Sequence, residues 1–201
     1  MLNQTSRIPK TKTPSRGGAE SARSRACETS AAIERALGET SYASVAALVR
    51  PLGGPLPPLD PEEAIFIRGV HPDRAREFRR GRGLVRELLP RFDVAPQPIA
   101  IGPSREPVWP DGILGSISHA AGICAVALTT PNHHAAIGID VEAGDPLDRD
   151  LWPIVADSDE LACVSAALAC DTGVAAKKVF AAKEALYKAQ FPLTGRFLEF
   201  R

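Results

Sequence analysis

Hydrophobic and polar residues alternate in the segment from Ile137 to Glu142. Its β-branched residues take turns with Gly138, Asp140 and Glu142. This pattern predicts a buried strand, and the two-residue period places Asp140 and Glu142 on the same side of it. Because neighbouring carboxylates repel each other, we expect a cation between them, and a hard divalent ion is the usual partner.

Helical patterns flank a proline break in the first half of the chain. Asp60, followed by proline and two glutamates, is typical of a helix start. Pro72 interrupts the pattern, and a second helix is predicted over residues 73–89. Gly81 and Gly83 each cost roughly 1 kcal/mol inside a helix. We therefore expect another group to approach the backbone of this helix closely.

Two more helices are predicted near the C-terminus, over residues 158–170 and 174–190. The second has a stripe that we expect to face the core, and its members are Val179, Ala182, Leu186 and Ala189. An adjacent face carries Lys177, Phe180, Glu184 and Lys188. Taken alone, Glu184 and Lys188 have the i,i+4 spacing of an ordinary surface ion pair.

Strands are predicted on either side of these helices. Residues 41–50 are apolar enough for one strand, and residues 115–128 indicate a hairpin with Ser118 and His119 at its turn. After a loop at 191–195, a final strand is expected to start at Arg196. A short helix is expected over 27–38.

Composition and charge fit a single domain, or two small halves that share a core. The chain has 201 residues and a net charge of zero. It has no apolar run long enough to span a membrane and no apolar signal peptide, so we expect a cytoplasmic protein. The basic, polar residues 1–26 are predicted to be disordered. No aromatic residues interleave their charges, which disfavours nucleic-acid binding.

The sequence pattern does not decide the role of two groups of side chains. Arg79, Arg82 and Arg86 share one helix face, which suits either a solvated surface or an anion site. Ser118 and His119 lack the glycine pattern of a nucleophile elbow. As neighbours in sequence they suit phosphate recognition better than nucleophilic catalysis, although a structural histidine is the plain alternative.

Three segments appear in a recognisable order: GSISH at 115–119, GIDVE at 138–142 and FAAKEALYK at 180–188. Together they resemble the 4′-phosphopantetheinyl transferases of the siderophore- and surfactin-synthase type. The resemblance also covers EF and GRGLVR within 77–86 and REPVWP at 105–110. Any one segment would be weak evidence, whereas five in the family's order are specific.

The resemblance implies an α+β fold in a single, pseudo-dimeric chain. Two similar halves, each a small antiparallel sheet with packed helices, would meet at a pseudo-twofold cleft. We expect the N-terminal half at 27–134 and the C-terminal half at 135–201, after the tail. Family chains usually continue beyond the final strand, so the C-terminal half is either naturally short or truncated.

The resemblance also implies a reaction. The 4′-phosphopantetheine arm of coenzyme A would move to a serine of an apo acyl or peptidyl carrier protein, releasing adenosine 3′,5′-bisphosphate. Mg²⁺, or Mn²⁺ in its place, would be required. A monomer that binds neither nucleic acid nor membrane is expected, and the pathway served stays open between siderophore, polyketide and fatty-acid synthesis. The alternative is a non-catalytic coenzyme-A-binding protein of the same fold.

Family roles transfer to residues of this chain by motif. The implied metal ligands are Asp140, Glu142 and Glu184. Glu184 is the candidate base, and Asp140 and Lys188 complete the catalytic set. The side chains implied to surround the coenzyme A phosphates are Arg82, Arg86, Arg105, Ser118, His119, Lys183 and Lys188.

Overall fold

The computed structural model describes residues 44–199. The predicted tail at 1–26 and helix at 27–38 lie outside this range, as does the start of the strand predicted from residue 41. Helices and one sheet make up the described part, which confirms the α+β class. Among its helices none is long and apolar enough to cross a membrane.

Three antiparallel strands form the sheet in the order β1–β3–β2. They are β1 (Ala46–Pro51), β2 (Leu114–Ala120) and β3 (Ile123–Thr129). β3 is almost wholly buried because it pairs on both sides, whereas β2 is an edge strand. The predicted hairpin is therefore confirmed.

The hairpin turn lies later than expected. It consists of Ala121 and Gly122, whose φ angles of 50° and 80° are those of the tight turns that match strand twist. Ser118 and His119 belong to β2 instead, so their placement at the turn was wrong. An Ala-Gly pair carries a weak turn signal, which explains the error.

The N-terminal helices follow their capping signals. α1 (Pro61–Ala64) starts at the Asp60 N-cap, and Glu63 completes a capping box. α2 (Pro72–Leu88) begins at Pro72 itself, with His71 as its N-cap, because proline fits the first turn. One 3₁₀ turn follows each helix, at Ile65–Ile67 and at Leu89–Phe92.

α2 packs on one face of the sheet and forms the main core. Its Leu84, Val85 and Leu88 are buried against Leu48 and Val126. The predicted close approaches to its backbone are real. A Cβ on Gly81 would lie 3.1 Å from Ile117 Cγ2, and one on Gly83 would lie 2.2 Å from Pro57 Cγ.

Three helices follow in the C-terminal part: α3 (Trp152–Val155), α4 (Ser158–Leu168) and α5 (Thr172–Thr194). A 3₁₀ turn at Arg149–Leu151 precedes α3. They enclose a second, smaller cluster of buried side chains, which includes Leu147, Val155, Leu161, Ala176 and Val179.

α5 differs from its prediction in length and orientation. It continues through Pro192 to Thr194 and is capped by Gly195, where φ is 61°, so the loop expected at 191–195 was wrong. Leu186 is 61% exposed and Ala182 is exposed too, so the predicted core stripe holds at Val179 and fails at these two positions. The inward face of this half of α5 is the one that carries polar side chains.

No second sheet is found between residues 135 and 199. The segments at 137–142 and 196–199 are extended or irregular and join no strand. Both strands predicted there are therefore wrong for the described residues, and the expected pseudo-twofold pair of sheets is not seen in this part of the chain.

Candidate functional site

Residues 137–142, here called the acid segment, lie half-buried between β2 and α5. A Cβ on Gly138 would lie 1.9 Å from the carbonyl oxygen of Ala185, so only glycine allows this contact with α5. On the other side, the backbone N–H of Ile139 donates to Ser116 Oγ at 3.0 Å and that of Val141 donates to Ser118 Oγ at 3.1 Å. Serine hydroxyls thus replace the carbonyl acceptors of a neighbouring strand.

Lys188 reaches from α5 into the acid segment. Its Nζ donates to Asp140 Oδ1 at 2.5 Å, to Ser118 Oγ at 3.1 Å and to the Ile139 carbonyl at 3.2 Å. Ser118 also donates to Asp140 Oδ1 at 2.9 Å. The Asp140 side chain is only 6% exposed. The strongest partner of Lys188 is therefore Asp140, not the Glu184 of a surface i,i+4 pair.

The other two predicted metal ligands lie in the same electrostatic neighbourhood. Glu142 pairs with Lys177 at 3.3 Å. Burial raises the pKa of the Glu184 carboxyl; Lys188 lowers it, and the negative charges of Asp140 and Glu142 raise it further. The negative charges of both other carboxylates therefore act on the Glu184 carboxyl.

The three carboxylates have the right chemistry for a hard divalent ion, but they are not arranged as a ready metal site. Carboxylate oxygens are the ligands that Mg²⁺ takes, and Asp140 Oδ2 is buried with no hydrogen-bond partner among residues 44–199. Within the same residues, however, no three His, Cys, Asp or Glu side chains are already grouped closely enough to hold a metal. Two of the acids are held by lysines instead.

His119 lies on the opposite face of the sheet from Ser118, because successive strand residues alternate. Its Nδ1 is 3.3 Å from Glu77 Oε1 on α2, and its Nε2 is 3.3 Å from Arg74 NH1. Arg74 also pairs with Glu77 at 2.7 Å. Sequence reasoning missed Arg74; its i,i+3 spacing from Glu77, within a basic helix, was the available signal.

Arg82 and Arg86 bond other parts of the fold, so the alternative that they lie on a solvated helix surface is wrong for both. Arg82 is 5% exposed, donates to the Ile99 carbonyl at 3.1 Å and stacks 4.6 Å from the Phe78 ring. Burial lowers its pKa to about 10, with Glu63 raising it and Arg86 lowering it. Arg86 pairs with the fully buried Glu63 at 2.5 Å.

Lys183 joins the helices of the C-terminal part. It donates to Glu160 at 2.8 Å and to the Val155 carbonyl at 2.9 Å, which ties α5 to α3 and α4. The structure thus brings Asp140, Ser118 and Lys188 into direct contact, with Glu184 nearby, while Lys183 contacts other elements.

A cavity of about 250 Å³ opens beside Lys188. One wall is the loop with Arg105, whose φ of 70° places it in the left-handed region. Other members of the lining are Glu106, Trp109, Ser116, Tyr187 and Phe191. The lining is mixed, with aromatic side chains from Trp109, Tyr187 and Phe191 and polar groups that include Ser116 and Lys188.

Two family models match the chain and together cover most of the described residues. The model described as the 4′-phosphopantetheinyl transferase N-terminal domain matches residues 61–129. The one described as the 4′-phosphopantetheinyl transferase superfamily matches residues 136–201.

Curated relatives agree with these matches. The 4′-phosphopantetheinyl transferase Svp of Streptomyces mobaraensis is 34% identical over 73% of this chain and 60% of its own. PptT of Mycobacterium tuberculosis is 38% identical over 70% of this chain and 61% of its own. Enterobactin synthase component D of Salmonella typhimurium is 34% identical over 61% and 51%. The chain spans about three-fifths of the length of the first two. Family models over both parts, and relatives that share them, show that this chain belongs to the 4′-phosphopantetheinyl transferase superfamily.

Proposed function

We propose that this protein transfers the 4′-phosphopantetheine arm of coenzyme A to a serine hydroxyl of an apo acyl or peptidyl carrier protein. The new bond joins the serine oxygen to phosphorus, the diphosphate P–O bond breaks, and adenosine 3′,5′-bisphosphate leaves. The observation that carries the proposal is the contact of Asp140, Ser118 and Lys188, with Glu184 in their electrostatic neighbourhood and Lys188 in the lining of the cavity.

Glu184 is the proposed base for the carrier serine. Burial and two neighbouring carboxylates raise its pKa, which makes the ionised form a better proton acceptor than a solvated glutamate. Lys188 lies one turn further along α5 and, with its positive charge, is suited to stabilise phosphate oxygens as negative charge moves to the leaving group.

Asp140, Glu142 and Glu184 are the proposed ligands of Mg²⁺, with Mn²⁺ as a substitute. When bound, the ion would polarise the diphosphate and stabilise the departing oxygen. The free, buried Oδ2 of Asp140 supports this assignment. Asp140 keeps its other oxygen on Lys188 and Ser118, so the protein itself fixes the orientation of this carboxylate.

The phosphates of coenzyme A are proposed to contact cations from several elements. Arg105 lines the same cavity as Lys188, which supports its role. His119 and Arg74 present an imidazole and a guanidinium together, so we add Arg74 to the set. Ser118 completes it from the other face of β2. The remaining proposed members each also bond another group of the protein: Arg82, Arg86 and Lys183.

The organisation of the whole chain is part of the proposal. We propose a tail at 1–26, an N-terminal half at 27–134 and a C-terminal half at 135–201, acting as a cytoplasmic monomer. Neither nucleic acid nor membrane is a proposed partner.

Intact-mass spectrometry tests the activity. The protein is incubated with coenzyme A, Mg²⁺ and several apo carrier proteins, and a mass gain of one phosphopantetheine arm on the carrier is expected. Asp140→Asn is the matched control and should transfer nothing. If no carrier gains mass while calorimetry shows that coenzyme A binds, the protein is a non-catalytic coenzyme-A-binding protein and the proposal is wrong.

A further inference from the structure

The acid segment is held against β2 without a backbone ladder. Its two inward N–H groups, on Ile139 and Val141, are two residues apart, and they meet two hydroxyls that are also two residues apart. Ser116 and Ser118 are each 5% exposed. We call this pair of contacts the serine clamp.

Each serine of the clamp has an alanine directly opposite it on β3, and on β1 the partners of these alanines are Ala47 and the larger Val49. Ser116 pairs with Ala127 and Ser118 with Ala125 in the strand register, and Ala127 pairs in turn with Ala47. Larger side chains on this face would hold the acid segment further away. With an alanine opposite each of them on β3, the short serine side chains reach its backbone directly.

The clamp also sets the register of the acid segment. A slip of one residue along an extended chain turns every side chain to the other side. With Ile139 N–H on Ser116, the carboxylate of Asp140 meets Ser118 and Lys188. Ser118 is hydrogen-bonded to Asp140 itself as well as to the backbone, whereas the hydrogen bond between Ser116 and the segment comes from the Ile139 backbone.

We propose that Ser116 is a positioning residue of the transferase site: its hydroxyl fixes the backbone at Ile139 and thereby the orientation of Asp140. This inference rests on the proposed function, because it assigns Ser116 to the same metal and phosphate site. The hydrogen bond of Ser116 is to the backbone N–H of Ile139, so its effect on Asp140 passes through the backbone. Neighbours that orient a metal ligand commonly change metal affinity about 10- to 100-fold when removed.

The test compares Ser116→Ala and Ser116→Thr with the wild-type protein. Ser165→Ala is the matched control, because the Ser165 hydroxyl is also hydrogen-bonded to a backbone group; it lies in α4 and donates to the Cys170 carbonyl, whereas Ser116 accepts from Ile139. Two quantities are measured without coenzyme A: Mn²⁺ affinity by electron paramagnetic resonance, and amide hydrogen exchange at Ile139 and Val141 by NMR. A third is the half-saturating Mg²⁺ concentration in the transfer assay.

Ser116→Ala should weaken Mn²⁺ binding about 10-fold or more and speed exchange at Ile139 more than at Val141, and Ser116→Thr should restore both. Ser165→Ala should change neither. A fall in melting temperature with unchanged Mn²⁺ affinity, or failure of threonine to rescue, overturns the proposal in favour of a purely structural serine. A wild-type protein that binds Mn²⁺ but transfers nothing refutes the proposed function alone; one that binds no Mn²⁺ overturns both.

Discussion

Gly138→Ala should push the acid segment away from α5. The new Cβ would lie 1.9 Å from the Ala185 carbonyl oxygen, about 1.5 Å inside the 3.4 Å at which ordinary van der Waals contact begins. The oxygen belongs to the α5 backbone and cannot rotate away. The acid segment and α5 must therefore move apart, and Asp140 moves away from Lys188 and Glu184.

The expected loss of activity is larger than the loss of stability. A displacement of about 1 Å in a positioned site costs roughly 100-fold in rate, so kcat/KM should fall at least that far. Overpacking costs about 1–3 kcal/mol, which is roughly 2–12 °C in Tm for a chain of this size. Carrier transfer followed by mass spectrometry and thermal unfolding measure the two effects.

Gly144→Ala is the matched control, because a Cβ there would meet nothing within 4 Å. It should leave both quantities unchanged. If Gly138→Ala keeps wild-type kcat/KM, or if Gly144→Ala is equally damaging, the close contact between the acid segment and α5 does not position the site.

Three further changes probe the surrounding charges. The pKa of Glu184 is raised in the folded state, so the stability that this carboxyl contributes is complete below its ordinary pKa of 4.5 and is lost as pH rises through the folded pKa. Glu184→Gln should therefore raise Tm at neutral pH without divalent ions, and this gain in Tm should shrink at acid pH. An equal gain in Tm at every pH would refute this. Glu63→Ala removes a fully buried carboxylate that pairs with the partly buried Arg86 and accepts from the Ile99 N–H, and it should cost about 3–5 kcal/mol in urea unfolding. Glu87→Ala, in an exposed pair, should cost under about 1 kcal/mol, and similar values for the two variants would contradict the burial argument. Lys188→Met should abolish transfer and raise the pKa of Glu184 further, which an upward shift of its carboxyl NMR titration would show and an unchanged titration would disprove.

Local signals in the sequence predicted the elements whose formation depends on near neighbours. Asp60 and its capping box mark the start of α1, and the apolar run of β3 marks a central strand. Gly81 and Gly83 indicated close packing on α2, and Ile117 and Pro57 fulfil that expectation. Each of these features is decided within a few residues or by a requirement for a small side chain.

Predictions failed where the pattern of a segment did not reveal which groups the segment would contact. The alternation at 137–142 matches a strand, yet its N–H groups bond serine side chains instead of another strand. Leu186 fits a core stripe, but this part of α5 turns its polar side toward the acid segment. A solvated surface was one alternative for Arg82, but this side chain is 5% exposed and donates to the Ile99 carbonyl.

The sequence by itself indicated the family and the α+β class, and it supplied most of the acids and cations proposed for the candidate site. These follow from residue types at fixed short spacings, which the chain displays directly. Only the tertiary structure decided that Lys188 is held by Asp140, that Arg74 joins His119, and that Ser116 supports the acid segment. Those pairs are separated by 23 to 48 residues, so their contacts depend on how helices pack on the sheet, and no local pattern encodes that packing.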